Sequence, residues 1–100
     1  MTVTLSSAAL DAAAASLRGY GAPDLPHAVI ADAVNSDPDI AVLAAEHGWA
    51  DGEVVDRLWA AVCVQVLGID YEEQAARFVM RPHELAADVE AVVAAREASR

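Results

Sequence analysis

The sequence predicts an all-α fold: a compact single-domain bundle of five or six short helices over residues 1–100, with a helix-turn-helix-like C-terminal half. Three observations lead there. Twenty-four of the 100 residues are alanine, the strongest helix former. Glycine, proline and capping residues recur at helix-length intervals. No stretch alternates apolar and polar residues for a useful strand length. A chain of this length holds one core without disulfide or metal. The apolar fraction of 56% overstates that core, because so much of it is alanine. The same small side chains allow close helix–helix approach.

Taken in order, Thr4 or Ser6 caps a first helix that runs to about Arg18, with Leu10, Ala13, Ala14 and Leu17 on one face. Gly19 and Gly21 end it with left-handed geometry. Asp24 is positioned to cap a second helix whose first turn tolerates Pro26. Val29, Ile30, Ala33 and Val34 form its apolar stripe. Asn35-Ser36-Asp37-Pro38 is a stop and restart: Asp37 caps a third helix, Ile40, Leu43 and Ala44 point inward, and Gly48 closes it.

Asp51 caps a fourth helix, Gly52 to Leu67. Val54, Val55, Leu58, Trp59, Val62, Cys63, Val66 and Leu67 make it apolar around most of its circumference. Such a helix belongs in the middle of a domain. The β-branched run at residues 62–66 is assigned to helix because it lies between Asp51 and Gly68. Glu53 and Arg57 are spaced for an i,i+4 pair worth ~0.3 kcal/mol. After Gly68, Asp70 and Glu73 form a D-x-x-E capping box for a fifth helix with Tyr71, Ala75 and Phe78 as its apolar side. Glu73 and Arg77 repeat the i,i+4 pair. Arg81-Pro82 makes a break, and a sixth helix runs from Pro82 to about Ala98. There Leu85, Val89 and Val92 face inward, while Glu84, Asp88, Glu90 and Glu97 are solvated.

Charge narrows the partners. The chain has six arginines, no lysine and sixteen acids, a net charge of −10. That balance repels polyphosphate backbones and anionic membranes and favours basic protein surfaces. Cys63 is the only cysteine, so an internal disulfide is excluded and a reducing compartment is expected. Residues 1–10 lack the basic residue and long apolar run of a secretory signal. The longest apolar stretch, residues 58–69, contains Gln65 and falls far short of the ~20 residues of a membrane span. A cytoplasmic protein is expected. Arginine without lysine, with abundant alanine and valine, fits a GC-rich bacterial genome.

Residues 73–85, from Glu73-Gln74-Ala75-Ala76 through Val79 to Leu85, have the alanine, turn and leucine spacing that resembles helix-turn-helix DNA-binding regulators. The resemblance implies that the sixth helix would read DNA. The chain departs from it twice: Val79 stands where glycine is usual, and Asp88 falls on an inward position. The reading face would carry His83, Glu84 and Asp88, with no Arg, Asn or Gln for base edges. His47-Gly48, Glu53, Leu58 and Ala75 loosely resemble the three-helix ANTAR RNA-binding domain, with a two-residue insertion and without its basic residues. Trp49-Ala50-Asp51-Gly52 is one residue too long for the W-x-G turn of secreted paired-helix hairpins, and Pro23, Pro26 and Pro38 break the long helix that family needs. The segment Ala22-Pro23-Asp24-Leu25-Pro26-His27-Ala28-Val29 resembles part of some phage head–tail connector proteins and implies an assembly role.

No catalytic, cofactor-binding or metal constellation is expected. Cys63 lies on the most apolar helix, where a thiol is inert. His27, His47 and His83 fall on three separate elements without zinc-ligand spacing. Glu72-Glu73 and Asp37/Asp39 complement helix dipoles. The expected function is therefore a non-enzymatic protein–protein interaction or assembly module, through a partner or self-association. Tyr20 and Trp49, beside helix-ending glycines, are candidate contacts. So is the acidic side of the last helix, Glu84, Asp88, Glu90 and Glu97. A helix-turn-helix regulator, an acidic nucleic-acid mimic and a phage assembly protein are the alternatives.

Overall fold

A computed structural model describes residues 2–100, which form six α-helices and no strand: α1 (Ser7–Gly19), α2 (His27–Ser36), α3 (Asp39–His47), α4 (Gly52–Leu67), α5 (Tyr71–Met80) and α6 (Pro82–Ala98). The all-α bundle expected from the sequence is what the chain adopts. None of the helices in these residues is long and apolar enough to cross a membrane.

Local chemistry sets most of the helix ends. Ser6 caps α1 by accepting from the Ala9 amide at 3.1 Å. Asp51 caps α4 by accepting from the amides of Glu53 and Val54. Asp70 caps α5 by accepting from the Glu73 amide at 2.7 Å. Each satisfies backbone donors that a helix start leaves orphaned. At the far end of α4, Gly68 turns with φ 68° and ψ 29°, a left-handed conformation that glycine enters without a Cβ penalty. Arg96 from α6 donates to the Val66 carbonyl at 3.3 Å and so covers another open group of the α4 C-terminus.

Two expected caps are not formed, and the cause is tertiary. Asp24 makes no cap on α2, which begins after Pro26 without a side-chain partner; the Asp24 carboxylate instead faces Arg18 at 3.5 Å. Asp37 does not cap α3 either. Arg57 donates to it twice, from Nε at 2.6 Å and Nη2 at 3.0 Å, a bidentate geometry stronger than an amide cap. Arg57 is therefore occupied, and its expected pairing with Glu53 gives way to Asp37 and Asp39. Of the two glycines expected to end α1, only Gly21 takes positive φ; Gly19 is helical. The stretch 35–38 stops α2 at Ser36 and restarts the chain in α3 at Asp39, as expected, and Asn35 has a tertiary role besides. Its side-chain amide exchanges hydrogen bonds with the Val3 backbone, at 2.6 Å and 3.2 Å, and ties the N-terminal segment to α2.

α4 packs against all five other helices, the central place its all-round apolar sequence requires. Val54, Leu58, Trp59, Val62 and Cys63 are buried at its heart. Ala13, Ala33 and Ala61 are fully buried on α1, α2 and α4, where small side chains permit close approach. The Cα radius of gyration is 12.6 Å, close to the ~13 Å of a compact 100-residue domain.

The last two helices depart from expectation. α6 buries Leu85, Val89 and Val93; Val92 is only half-buried. α5 is rotated relative to the expected face, so Tyr71 and Ala75 are exposed, Phe78 is half-buried and Gln74 is the buried residue. Gln74 is the buried polar residue of the described chain and lies on the side of α5 turned to the core.

Candidate functional site

The helices scatter the sequence-predicted contact residues rather than gathering them. Tyr20 caps the C-terminus of α1 and is half-buried. Its hydroxyl donates to Asp56 Oδ1 at 2.7 Å, and its ring stacks on Phe78 at 5.5 Å between centroids. Burial, then the hydrogen bond to Asp56 and its charge, push the phenol up to about 12. Tyr20 therefore pins α1 to α4 and α5. Trp49 is also half-buried and packs against the core.

Glu84, Asp88, Glu90 and Glu97 are all exposed on α6, as expected, but they do not share a side. At about 100° per residue, Glu84 and Asp88 lie on one flank and Glu90 and Glu97 on the other, about 150° apart. Three of the four are matched by arginine: Glu84 by Arg81, Asp88 by Arg77 and Glu97 by Arg100. An organised stripe of phosphate-like charge is not what this helix presents.

The arginines are equally committed. Arg18 faces Asp24, Arg57 clamps Asp37, Arg77 lies between Glu73 and Asp88, Arg81 faces Glu84, Arg96 holds the Val66 carbonyl, and Arg100 faces Glu97. All six cations of the chain have an intramolecular partner. The helix-turn-helix comparison also fails at the turn. Arg81 alone separates α5 from α6, whereas the DNA-binding motif uses a turn of roughly three to four residues.

Reactive chemistry does not converge. Cys63 is fully buried, and burial pushes its thiol up to about 12, so the nucleophilic thiolate is disfavoured. His27 pairs with Asp11 and His47 with its neighbour Glu46, on different helices. Among the described residues no three His, Cys, Asp or Glu side chains are grouped to hold a metal. A shallow cleft of about 600 Å³ lies between α2, α4 and α5, with Asp37, Asp56, Arg57 and Tyr71 on its walls. Two of its carboxylates are already engaged: Asp37 with Arg57, and Asp56 with Tyr20.

A different surface stands out at the corner between α5 and α6. Val79 and Met80 are adjacent and 80% and 77% exposed. Beside them runs a groove of about 430 Å³ lined by the apolar side chains of Ala76, Met80 and Leu85. Arg77 and Arg81 edge it from the α5 side, and Glu84 and Asp88 from the α6 side. Val42 on α3 is exposed singly, whereas Met80 adjoins an apolar groove with charged edges. Sequence reasoning placed Val79 at a turn position, gave Met80 no role, and so did not single out their exposure. The available signal was their position immediately before Arg81-Pro82, where the helix ends and its last turn lies over no neighbour.

In comparisons with known proteins, the chain matches no family model, no curated protein and no solved structure.

Proposed function

We propose that this protein works by binding another protein chain, as a non-enzymatic interaction or assembly module of the cytoplasm, and that the α5–α6 corner is its contact surface. The observation that carries the proposal is the exposed Met80 lining an apolar groove with charged edges. Interfaces combine an apolar centre with a polar rim in this way, and methionine adapts its shape to a partner surface. The net charge of −10 weighs against nucleic acid, and the division of the α6 acids between two flanks weighs against mimicry of it. An assembly role in a larger particle falls within the same reading.

The test is a pull-down with tagged wild type and with a variant carrying Val79→Asp and Met80→Asp. Wild type is expected to retain a stoichiometric protein, either an untagged second copy or another chain. The variant is expected to lose it while keeping its helical circular-dichroism spectrum. Equal recovery by both proteins would overturn the assignment of the corner.

A further inference from the structure

We propose that the occupant of the α5–α6 corner is a second copy of this chain, docked about a twofold axis so that each Met80 enters the other's groove. This rests on the reading of the corner as a docking surface. A twofold interface must be self-complementary: if one residue touches a second across the axis, the second touches the first. The corner meets that condition in shape and in charge.

In shape, Met80 is both a lining residue of the groove and a 77% exposed projection beside it. The groove volume of about 430 Å³ falls within the ~300–1,000 Å³ of pockets that accept drug-sized groups. It has room for the Met80 side chain of a partner.

In charge, the two edges are opposite and equal. Arg77 and Arg81 lie along one side and Glu84 and Asp88 along the other. A twofold axis through the groove sets the arginines of each copy against the acids of its partner. A uniformly basic or uniformly acidic partner would find half of this rim repulsive, whereas a second copy finds all of it matched. The intramolecular pairs here are long and solvent-exposed, 3.7 Å for Arg77 with Asp88 and 3.4 Å for Arg81 with Glu84. Such pairs hold their geometry weakly and exchange partners at little cost.

The net charge of −10 also selects this face over others. Residues 1–70 carry ten acids and two arginines, a net of −8; residues 71–100 carry six acids and four arginines, a net of −2. Contact through the corner keeps the strongly negative bodies apart.

The experiment is sedimentation velocity over a wide concentration range, on wild type and on three variants of these exposed positions. Wild type is expected to shift from 10.4 kDa towards twice that mass as concentration rises. Met80→Asp is expected to weaken association about tenfold or more. The double variants R77E/R81E and E84R/D88R, each confronting like charge with like across the axis, are expected to be monomeric separately and to form a heterodimer when mixed. Failure of the mixture to associate overturns the twofold pairing. A wild type that stays monomeric overturns the second copy as occupant, and the corner is then judged by whether the pull-down partner is lost on Met80→Asp. A dimer that persists in every variant overturns both the pairing and the docking role of the corner.

Discussion

Residues 1–70 and residues 71–100 are built on different terms. Of the 21 buried apolar residues in the described chain, 18 lie in the first segment and only Leu85, Val89 and Val93 in the second. The first segment carries a charge of −8 and the second −2. α4 surrounds itself with buried side chains, whereas α5 has no fully buried apolar residue and turns Gln74 inward instead. α5 is held by its Asp70 cap and by the half-buried Phe78 stacked on Tyr20. Its remaining apolar residues, Tyr71, Val79 and Met80, face outward. The body spends its apolar side chains on its own core, and the corner leaves its own available to another surface.

The strongest way to break this comparison is to damage the body. Trp59 is 2% exposed on the central helix. Trp59→Ala removes the largest buried side chain of α4 and leaves a cavity that its neighbours only partly fill, at a cost of about 3–5 kcal/mol. Against a total stability of about 5–15 kcal/mol for a domain, that loss brings the protein close to unfolding. Urea denaturation followed by circular dichroism measures it. A loss below about 1 kcal/mol would show that α4 is not the centre of the stability.

An intermediate effect is expected where the two regions are fastened together. Tyr20 from α1 reaches Asp56 on α4 and Phe78 on α5. Tyr20→Phe keeps the ring stack and removes the hydroxyl, at a cost of about 0.5–1.5 kcal/mol at neutral pH. The wild type also has a distinctive alkaline response. The folded phenol is raised from 10.0 to about 12, first by burial and then by Asp56. Below pH 10 both folded and unfolded states hold the proton, and the stabilising contribution is complete. As pH rises from 10 towards 12 the unfolded state ionises first, so stability falls through that window. The Cys63 thiol, raised from 9.0 to about 12 by burial, adds a loss that begins near pH 9. Thermal midpoints measured across this range are expected to fall less steeply above pH 10 in Tyr20→Phe, with the Cys63 part retained. An unchanged slope in the variant would remove Tyr20 as the fastening point.

How much of this was legible follows from the range of the interaction concerned. The caps Ser6, Asp51 and Asp70, the stop at Gly68 and the central place of α4 depend on neighbours within a turn or on the helix's own composition, and the sequence carries them. Asp24 and Asp37 have the same local signature as the true caps, but Arg18 and Arg57 reach their carboxylates through tertiary contacts that no local spacing encodes. The face of α5 was misread for the same reason. Periodicity assigns Tyr71 and Ala75 inward, while the packing of α5 against α4 and α6 buries Gln74 instead. The four acids of α6 look like one charged side in a list of residues and separate into two flanks only when the helix is wound. For the corner, the one sequence signal was the place of Val79 and Met80 just before the Arg81-Pro82 break, because an apolar residue itself carries no sign of whether the core covers it.

The smallest expected effect sharpens the comparison most. At concentrations where the protein is monomeric, Met80→Asp is expected to change folding stability by no more than about 0.5 kcal/mol, the range of surface substitutions away from caps and cores. Met80 is 77% exposed at the last position of α5, so the substitution opens no cavity and buries no charge. Aspartate near a helix C-terminus meets the negative end of the dipole, a penalty of about 0.3–1 kcal/mol at low salt. Arg77 and Arg81, which line the same groove, offset part of it. Denaturant unfolding of dilute wild type and variant gives the value. A destabilisation above about 1 kcal/mol would place Met80 among the residues that hold the fold and dissolve the distinction between body and corner. A value near zero, beside a loss of association in the same variant, would assign the exposure of Met80 to binding rather than to folding.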